Sequence, residues 1–224
     1  MANSAQSGSA QADSAQNATR QKWDNAAKSF DFVNGLGPEL RWAPVKRALF
    51  SAMRGRILFL AVGTGLDIQF FPPGHDIIGI DISPKMLEKA AARAAAYPGN
   101  MRLQEMDVHE MSFADGSFDQ VFTSCTFCSV PDPVHGLQEL RRVLEPGGEL
   151  RMFEHTGSRY FPFGLMLSLM TPLSRRVGPE MNRDTVSNVE RAGFHIRDVR
   201  NVFLDVVKTI TAEAPGSPVA AGAK

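Results

Sequence analysis

The chain has 224 residues, 43% of them hydrophobic, and Lys+Arg 24 balance Asp+Glu 24. That length fits one full-sized domain, and zero formal charge argues against a dedicated nucleic-acid binder, which normally carries a basic excess. Two cysteines cannot build a disulfide framework or a four-cysteine zinc site, and no apolar run approaches the roughly 18 residues of a membrane span. The opening Met1–Gln6 has neither the charged nor the apolar region of a secretory signal. A soluble, cytoplasmic protein without a metal site is expected.

Residues 1–19 are almost entirely Ala, Ser, Gln, Asn and Gly. With nothing large and apolar to bury they are expected as a disordered tail, and 212–224 reads the same way. The folded unit is then 20–211. Within it, Ile57–Val62 is a short apolar run followed by turn residues, the pattern of a buried parallel strand. Asp76–Ile80 is a second such run, and Pro84–Tyr97 reads as a helix with Pro near its first turn. Met101–Met106 alternates as a half-buried strand, Asp119–Ser124 follows as another, and Pro133–Leu144 is a helix ended by Glu145-Pro146-Gly147-Gly148. Glu149–Phe153 is the next strand, Asp184–Ala192 a last helix, and His195–Val199 and Val202–Thr209 a closing strand pair. Alternation of this kind predicts an α/β fold with a mostly parallel sheet.

The first strand runs directly into Ala61-Val62-Gly63-Thr64-Gly65. Glycines there let a ligand approach the backbone where a Cβ would collide. A dinucleotide fingerprint needs a third glycine at position 68, which is Ile68, so a nicotinamide oxidoreductase is the poorer reading. Asp67 beside the loop favours a ligand without phosphates. Two acids then end the next two strands. Asp81 is placed to accept hydrogen bonds from a ribose diol, and Asp107 from an adenine amino group, with the backbone of Val108 beside the ring. Ser83, not Asp81, is the better cap for the helix beginning at Pro84.

Leu60-Ala61-Val62-Gly63-Thr64-Gly65, Gly79-Ile80-Asp81-Ile82-Ser83, Asp115-Gly116-Ser117-Phe118-Asp119 and Arg142-Val143-Leu144-Glu145-Pro146-Gly147-Gly148 together resemble the class I S-adenosylmethionine-dependent methyltransferases, nearest to the quinone-biosynthesis and phospholipid-methyltransferase branch. The resemblance spans about residues 20–210. It implies a Rossmann-like sheet of seven strands, mostly parallel with one antiparallel strand, and helices on both faces. It also implies S-adenosyl-L-methionine as cofactor, held by Ala61, Gly63, Thr64, Gly65, Asp81, Ile82, Asp107, Val108 and Ser124. One departure stands out. The family usually carries an acid two positions before the first glycine of its loop, and here the aligned positions are Phe59 and Ala61; Asp67 or a backbone carbonyl near Gly63 are substitutes for its role.

Methyl transfer from a sulfonium needs alignment above all, and a base only when the acceptor must lose a proton. Glu154 and His155, emerging at the end of the fifth strand, are the candidate acid/base pair; the competing reading has Glu154 holding a loop. In Cys125-Thr126-Phe127-Cys128 one cysteine packs and the other lines the pocket, while Phe127 is a candidate to flank the sulfonium. Residues 157–182 form an apolar insertion, read as a lid over the acceptor, a membrane-dipping element using Arg175 and Arg176, or a plain packing helix. The basic stretch Leu40–Arg56 is read either as a membrane-surface helix or as one packing Trp42, Val45, Leu49 and Met53 on the sheet; Trp23, Phe30 and Phe32 upstream are expected to close over the cofactor. The expected partner is a small apolar or lipid-like acceptor, a phospholipid amine being one guess, with peripheral membrane contact. A thiol or phenol acceptor, or a non-catalytic cofactor-binding module, are the alternatives.

Overall fold

In the computed structural model, which describes residues 3–34, 38–174 and 179–216, the apolar run after Arg56 forms β1 (Ile57–Leu60), buried at every position. Burial on both faces is the mark of a central parallel strand. β1 pairs in parallel with β2 (Asp76–Asp81) on one side and β4 (Phe118–Ser124) on the other. β3 (Asn100–Glu105) lies beyond β2, and β5 (Leu144–His155) beyond β4. β7 (Val207–Glu213) then runs antiparallel between β5 and β6 (His195–Phe203). The order β3-β2-β1-β4-β5-β7-β6 is the expected seven-stranded sheet with one antiparallel strand.

Alternation along β1 sets up two cores. Leu58 and Leu60 join one cluster with Val121, Leu137, Leu140 and Val189, whereas Ile57 and Phe59 join the other with Phe50, Ala90 and Phe122. The first is roofed by α5 (Pro133–Val143) and α7 (Thr185–Arg191), the second by α3 (Pro38–Phe50) and α4 (Pro84–Ala95). Helices therefore cover both faces, as a parallel sheet requires. Ser83 caps α4 by accepting from Met86 N–H, as expected, and Asp132 and Asp184 do the same for α5 and α7. Trp42, Val45 and Leu49 of α3, with Met53 just beyond its end, pack on the second core, which is the packing reading of that basic stretch.

Three boundaries differ from the sequence expectation. Asn3–Ala26 form a helix, α1, where a disordered tail was expected. Composition poor in large apolar residues limits what a segment can bury, but Ala and Gln are good helix formers and the hydrogen bonds are internal. Its last turns also have partners: Arg20 pairs with Glu105, and Asp24 accepts from Ser83 Oγ at 2.6 Å. At the other end the chain stays in the sheet past position 212, because Ala214 exchanges backbone hydrogen bonds with Gly147 and Gly148 and is buried. β5 begins at Leu144 instead of Glu149, the four turn residues being absorbed as a register shift opposite Phe118–Gln120.

Two of the four family-like stretches lie at the amino ends of β4 and β5, away from the carboxyl ends, and hold the fold together. Arg142 donates to the carbonyls of Met111 and Phe113 and to Glu139 and Asp115. Arg56 binds Asp119 through its guanidinium at 2.8 Å and through its backbone N–H. Among the described residues no helix is long and apolar enough to cross a membrane.

Candidate active site

The chain leaves β1 on one side of the sheet and returns through β4 on the other. That reversal opens a crevice at the carboxyl ends of those strands, where open α/β sheets hold ligands. The loop after β1 turns through Ala61 (φ 55°), Gly63 (φ 57°) and Gly65 (φ 83°). A Cβ on Gly65 would meet Ile68 Cδ1 at 3.0 Å and Ala90 Cβ at 3.2 Å, so this glycine lets the loop pack on α4. Around Gly63 a Cβ would meet nothing within 4 Å; its backbone faces open space.

Asp81, at the end of β2, ties the two first strands together. Its Oδ2 accepts from Gly63 N–H at 2.8 Å and its Oδ1 from Ser83 N–H at 2.9 Å. The residue is buried, and that burial outweighs both hydrogen bonds and pushes its carboxyl up to about 6. Beyond β3, Asp107 Oδ1 accepts from His109 N–H at 2.8 Å and lies 2.6 Å from His109 Nδ1, while His109 Nε2 lies 3.1 Å from the carbonyl of Asp132. Both ring nitrogens face acceptors, so the imidazolium, with two N–H groups, satisfies this geometry best. Burial opposes the charged ring, but Asp107 and the Asp132 carbonyl prevail and raise its pKa. Burial would likewise raise Asp107, yet His109 holds its carboxyl below the usual range.

These groups share a cavity of about 270 Å³. Asp107, Val108 and His109 line it toward β3; Asp81, Ile82, Ala61, Gly63 and Thr64 line its centre; Ser124, Cys125, Thr126 and Phe153 line it toward β5. Trp42, Lys46 and Asp67 complete the wall, and Thr19, Trp23 and Phe30 close over it from α1 and from α2 (Phe30–Asn34). Asp31 of α2 accepts from Thr64 Oγ1 and pairs with Arg93 at 2.9 Å, which fastens that cover to the loop. Phe32 instead points away, 95% exposed.

Residues 58–152 match the family model described as a methyltransferase domain. The chain is 34% identical over 165 residues to Thiol S-methyltransferase TMT1B of Homo sapiens, covering 66% of this chain and 67% of that protein. It is 38% identical over 148 residues to the demethylmenaquinone methyltransferase of Thermus thermophilus, covering 62% of this chain and 67% of that one. The chain belongs to the S-adenosylmethionine-dependent methyltransferases. Among solved structures it resembles a methyltransferase of that dependence from Aquifex aeolicus, with TM-score 0.62, 16% identity, and 85% of this chain and 98% of that one covered. Another, from Mesorhizobium loti, has TM-score 0.59 at 19% identity over 79% of this chain and 98% of that one. At such identities the structural likeness speaks for the fold alone.

The methyltransferase cavity gathers eight of the nine expected cofactor residues; Gly65 shapes the loop but is not part of the wall. Neither Glu154 nor His155 is among the residues that line it, so the structure does not bring the expected acid/base pair to the cavity. Side chains alternate along a strand, and since Phe153 faces the cavity, Glu154 is turned into the protein. There it is fully buried and accepts from Thr123 Oγ1 at 2.8 Å, Thr126 N–H at 3.1 Å and Phe127 N–H at 3.1 Å. Burial raises its carboxyl to about 7 in spite of these donors. His155 is half-buried at the strand's end, in register with Val207, and burial lowers its pKa.

The loop that Glu154 holds is the one carrying the two cysteines. Cys125, at φ 53°, is an exposed residue lining the cavity, and desolvation pushes its thiol pKa well up. Cys128 packs inside, its thiol pushed up to about 12. Phe127 is fully buried in the core and does not flank the cavity. Of the charged wall residues, sequence reasoning did not place Lys46 or His109 at the cavity. The signal for His109 was its position two residues after Asp107; for Lys46 it was a lone cation among the apolar positions of α3.

Proposed function

We propose that the cavity holds S-adenosyl-L-methionine with its adenosyl part over Asp81, Ile82, Asp107 and Val108, and its sulfonium end beside Ala61, Gly63, Thr64 and Ser124. The observation that carries this reading is the Asp81 carboxylate, anchored by Gly63 N–H at the topological switch point. A buried carboxylate there suits a pair of ribose hydroxyls, and the open face of Gly63 suits a ligand lying on bare backbone. When bound, the cofactor supplies an activated methyl group. The protein's own work is alignment: α1 and α2 exclude water from above, Ser124 and Cys125 set the floor, and Glu154 fixes the backbone of Thr126 and Phe127 as a positioning residue. Calorimetry with S-adenosylhomocysteine tests the cofactor part directly.

The acceptor is read as a small apolar or aromatic molecule entering on the β5 side, past Trp42 and Phe153, whose rings sit 5.7 Å apart. A thiol acceptor is the second reading, favoured by the match to a thiol S-methyltransferase; a quinol is the counterpart suggested by the demethylmenaquinone relative. Incubation with labelled cofactor and matched alkyl thiol, phenol, quinol and phospholipid-amine acceptors decides among them. The catalytic unit is taken to run from the last turns of α1, which bring Thr19 to the cavity, to the buried Ala214, slightly beyond the expected 20–211.

Residues 157–182 are assigned a peripheral role at a membrane surface. Helix α6 (Phe163–Ser174) packs on the core through Leu167 and Phe163, but none of the described residues in 157–182 lines the cavity. Phe161, Leu165, Met166, Leu169 and Met170 are exposed. This arrangement supports delivery of a lipid-like acceptor from a bilayer to the β5 side of the cavity. Arg175 and Arg176 lie outside the described residues.

A further inference from the structure

The cavity wall contains a charged pair that the cofactor contacts above leave without a task. Lys46 of α3 places Nζ 2.7 Å from Asp67 Oδ1, with the two side chains only 3% and 13% exposed. Asp67 sits in the first turn of the short 3-10 helix (Leu66–Phe70) that follows the glycine loop. Taking two charges out of water is costly, and mutual attraction repays it only when further hydrogen bonds complete the site. Those are incomplete here: Asp67 Oδ1 stands in charge contact with the lysine and has no hydrogen-bond partner among the described residues. The loop itself brings no acid to this wall. Phe59 is packed in the core and Ala61 carries no charge.

We propose that Lys46 and Asp67 clamp the amino-acid end of the cofactor, the lysine ammonium meeting its α-carboxylate and the Asp67 carboxylate its α-ammonium. The inference rests on the cofactor reading above and adds the residues that discriminate the methionine end. A zwitterion entering beside the pair sets an opposite charge against each member and gives Asp67 Oδ1 a hydrogen-bond donor. An apolar acceptor offers neither. The acid that the loop has lost is thereby replaced from two residues beyond Gly65, with a cation from α3 as its complement.

The test compares S-adenosylhomocysteine with 5′-methylthioadenosine, the same nucleoside thioether without the amino acid, by calorimetry on wild type, Lys46→Met and Asp67→Asn. Each variant should lose about tenfold or more in S-adenosylhomocysteine affinity, as expected for a charged hydrogen bond. Methylthioadenosine affinity should stay within about twofold, which also certifies the fold. Decarboxylated S-adenosylhomocysteine should be insensitive to Lys46→Met and still sensitive to Asp67→Asn. Equal losses for both nucleosides would make the pair a structural element and overturn the proposal. So would unchanged S-adenosylhomocysteine affinity with a raised acceptor KM, which would assign the pair to the acceptor. If Lys46→Met does not fold, Asp67→Asn carries the same comparison. Wild type that binds neither nucleoside refutes the cofactor reading itself, a result distinct from all of these.

Discussion

Gly63 donates its backbone N–H to Asp81 Oδ2 at 2.8 Å, so the carboxylate proposed to hold the ribose also fixes the loop proposed to lie under the methionine. One side chain thus couples the two halves of the cofactor site. Replacing Asp81 with Asn keeps the size but presents an N–H₂ group where an acceptor is needed. S-adenosylhomocysteine affinity should fall by roughly 1.5–3 kcal/mol, read by calorimetry at pH 8. Affinity equal to wild type would remove Asp81 from the site.

The same carboxyl makes binding sensitive to acid. Its pKa in the folded protein is raised to about 6 from an ordinary value of 3.8, so it takes up a proton as pH falls through about 6 and loses its full capacity to accept. S-adenosylhomocysteine affinity in wild type should therefore drop between pH 7 and pH 5. In Asp81→Asn that acid limb should be absent. A wild-type profile flat down to pH 5 would contradict the assignment.

His109 sets the opposite limb. Its pKa is raised above 6.5 by the Asp107 carboxylate and the Asp132 carbonyl, against the effect of burial. The imidazolium contact is complete below pH 6.5 and is lost as pH rises through the folded value. Asp107 then loses its charged partner and with it the fixed orientation proposed for reading adenine. His109→Gln keeps one donor and no titration, so the alkaline decline in cofactor affinity should disappear in that variant while affinity near neutrality falls only a few-fold. An unaltered alkaline limb in His109→Gln would assign that titration to another group.

How much of this was legible beforehand depends on whether a residue acts through local pattern or through a distant partner. The run Ile57–Leu60, the loop Ala61–Gly65 and the strand-end acids Asp81 and Asp107 are local signals, and the sheet places them together at its switch point. Ser83 was legible as a cap because capping involves residues three apart. Glu154 was not: the sequence puts it beside His155 at a strand end, but only the pleat decides that Phe153 faces the cavity and Glu154 the loop at Thr126. The pairing of Lys46 with Asp67 spans 21 positions from α3 to the short 3-10 helix after the glycine loop, and no periodicity encodes it. Helix α1 was hidden for another reason: its composition says what it cannot bury, while its backbone hydrogen bonds need no burial at all.

Glu154 also makes a prediction about stability. It is fully buried, with its pKa raised to about 7 from an ordinary 4.5, burial being the main cause and three hydrogen bonds opposing it. Since the folded protein holds the proton more tightly than the unfolded chain, this contribution is fullest below pH 4.5. It is lost as pH rises to about 7, by on the order of 3 kcal/mol. Urea unfolding at pH 5 and pH 8 should show wild type losing stability over that interval. Glu154→Gln should lack that component, although its amide N–H₂ now opposes Phe127 N–H and lowers stability at pH 5. Identical pH slopes would mean that the carboxyl does not titrate in this range.

The last prediction concerns the exposed face of α6. Helix α6 has no charged residue, and Leu165 is 53% exposed, Leu169 73% and the neighbouring Phe161 85%. Leu204 of the β6–β7 turn is 60% exposed, and the same corner carries Arg41, stacked 4.7 Å from the Phe203 ring, and Arg159, whose backbone N–H binds Asp205. Apolar side chains flanked by guanidinium groups fit the interface of an anionic bilayer. Each apolar side chain that enters the acyl region contributes about 1.5–3 kcal/mol at most, so a double change at Leu165 and Leu169 to Ser should release the protein from vesicles. Co-sedimentation with phosphatidylglycerol-containing vesicles should show wild-type binding that weakens with salt, because the arginine contribution is screened within about 8–10 Å at such ionic strengths. The double variant should stay in the supernatant while its S-adenosylhomocysteine affinity remains that of wild type, since neither residue lines the cavity. Binding unaffected by the substitutions, or a wild type that ignores vesicles of every composition, would return α6 to a packing role. Methyl transfer to a water-soluble acceptor should be indifferent to the vesicles, whereas transfer to a long-chain acceptor should rise with them, because only the second depends on where the enzyme sits.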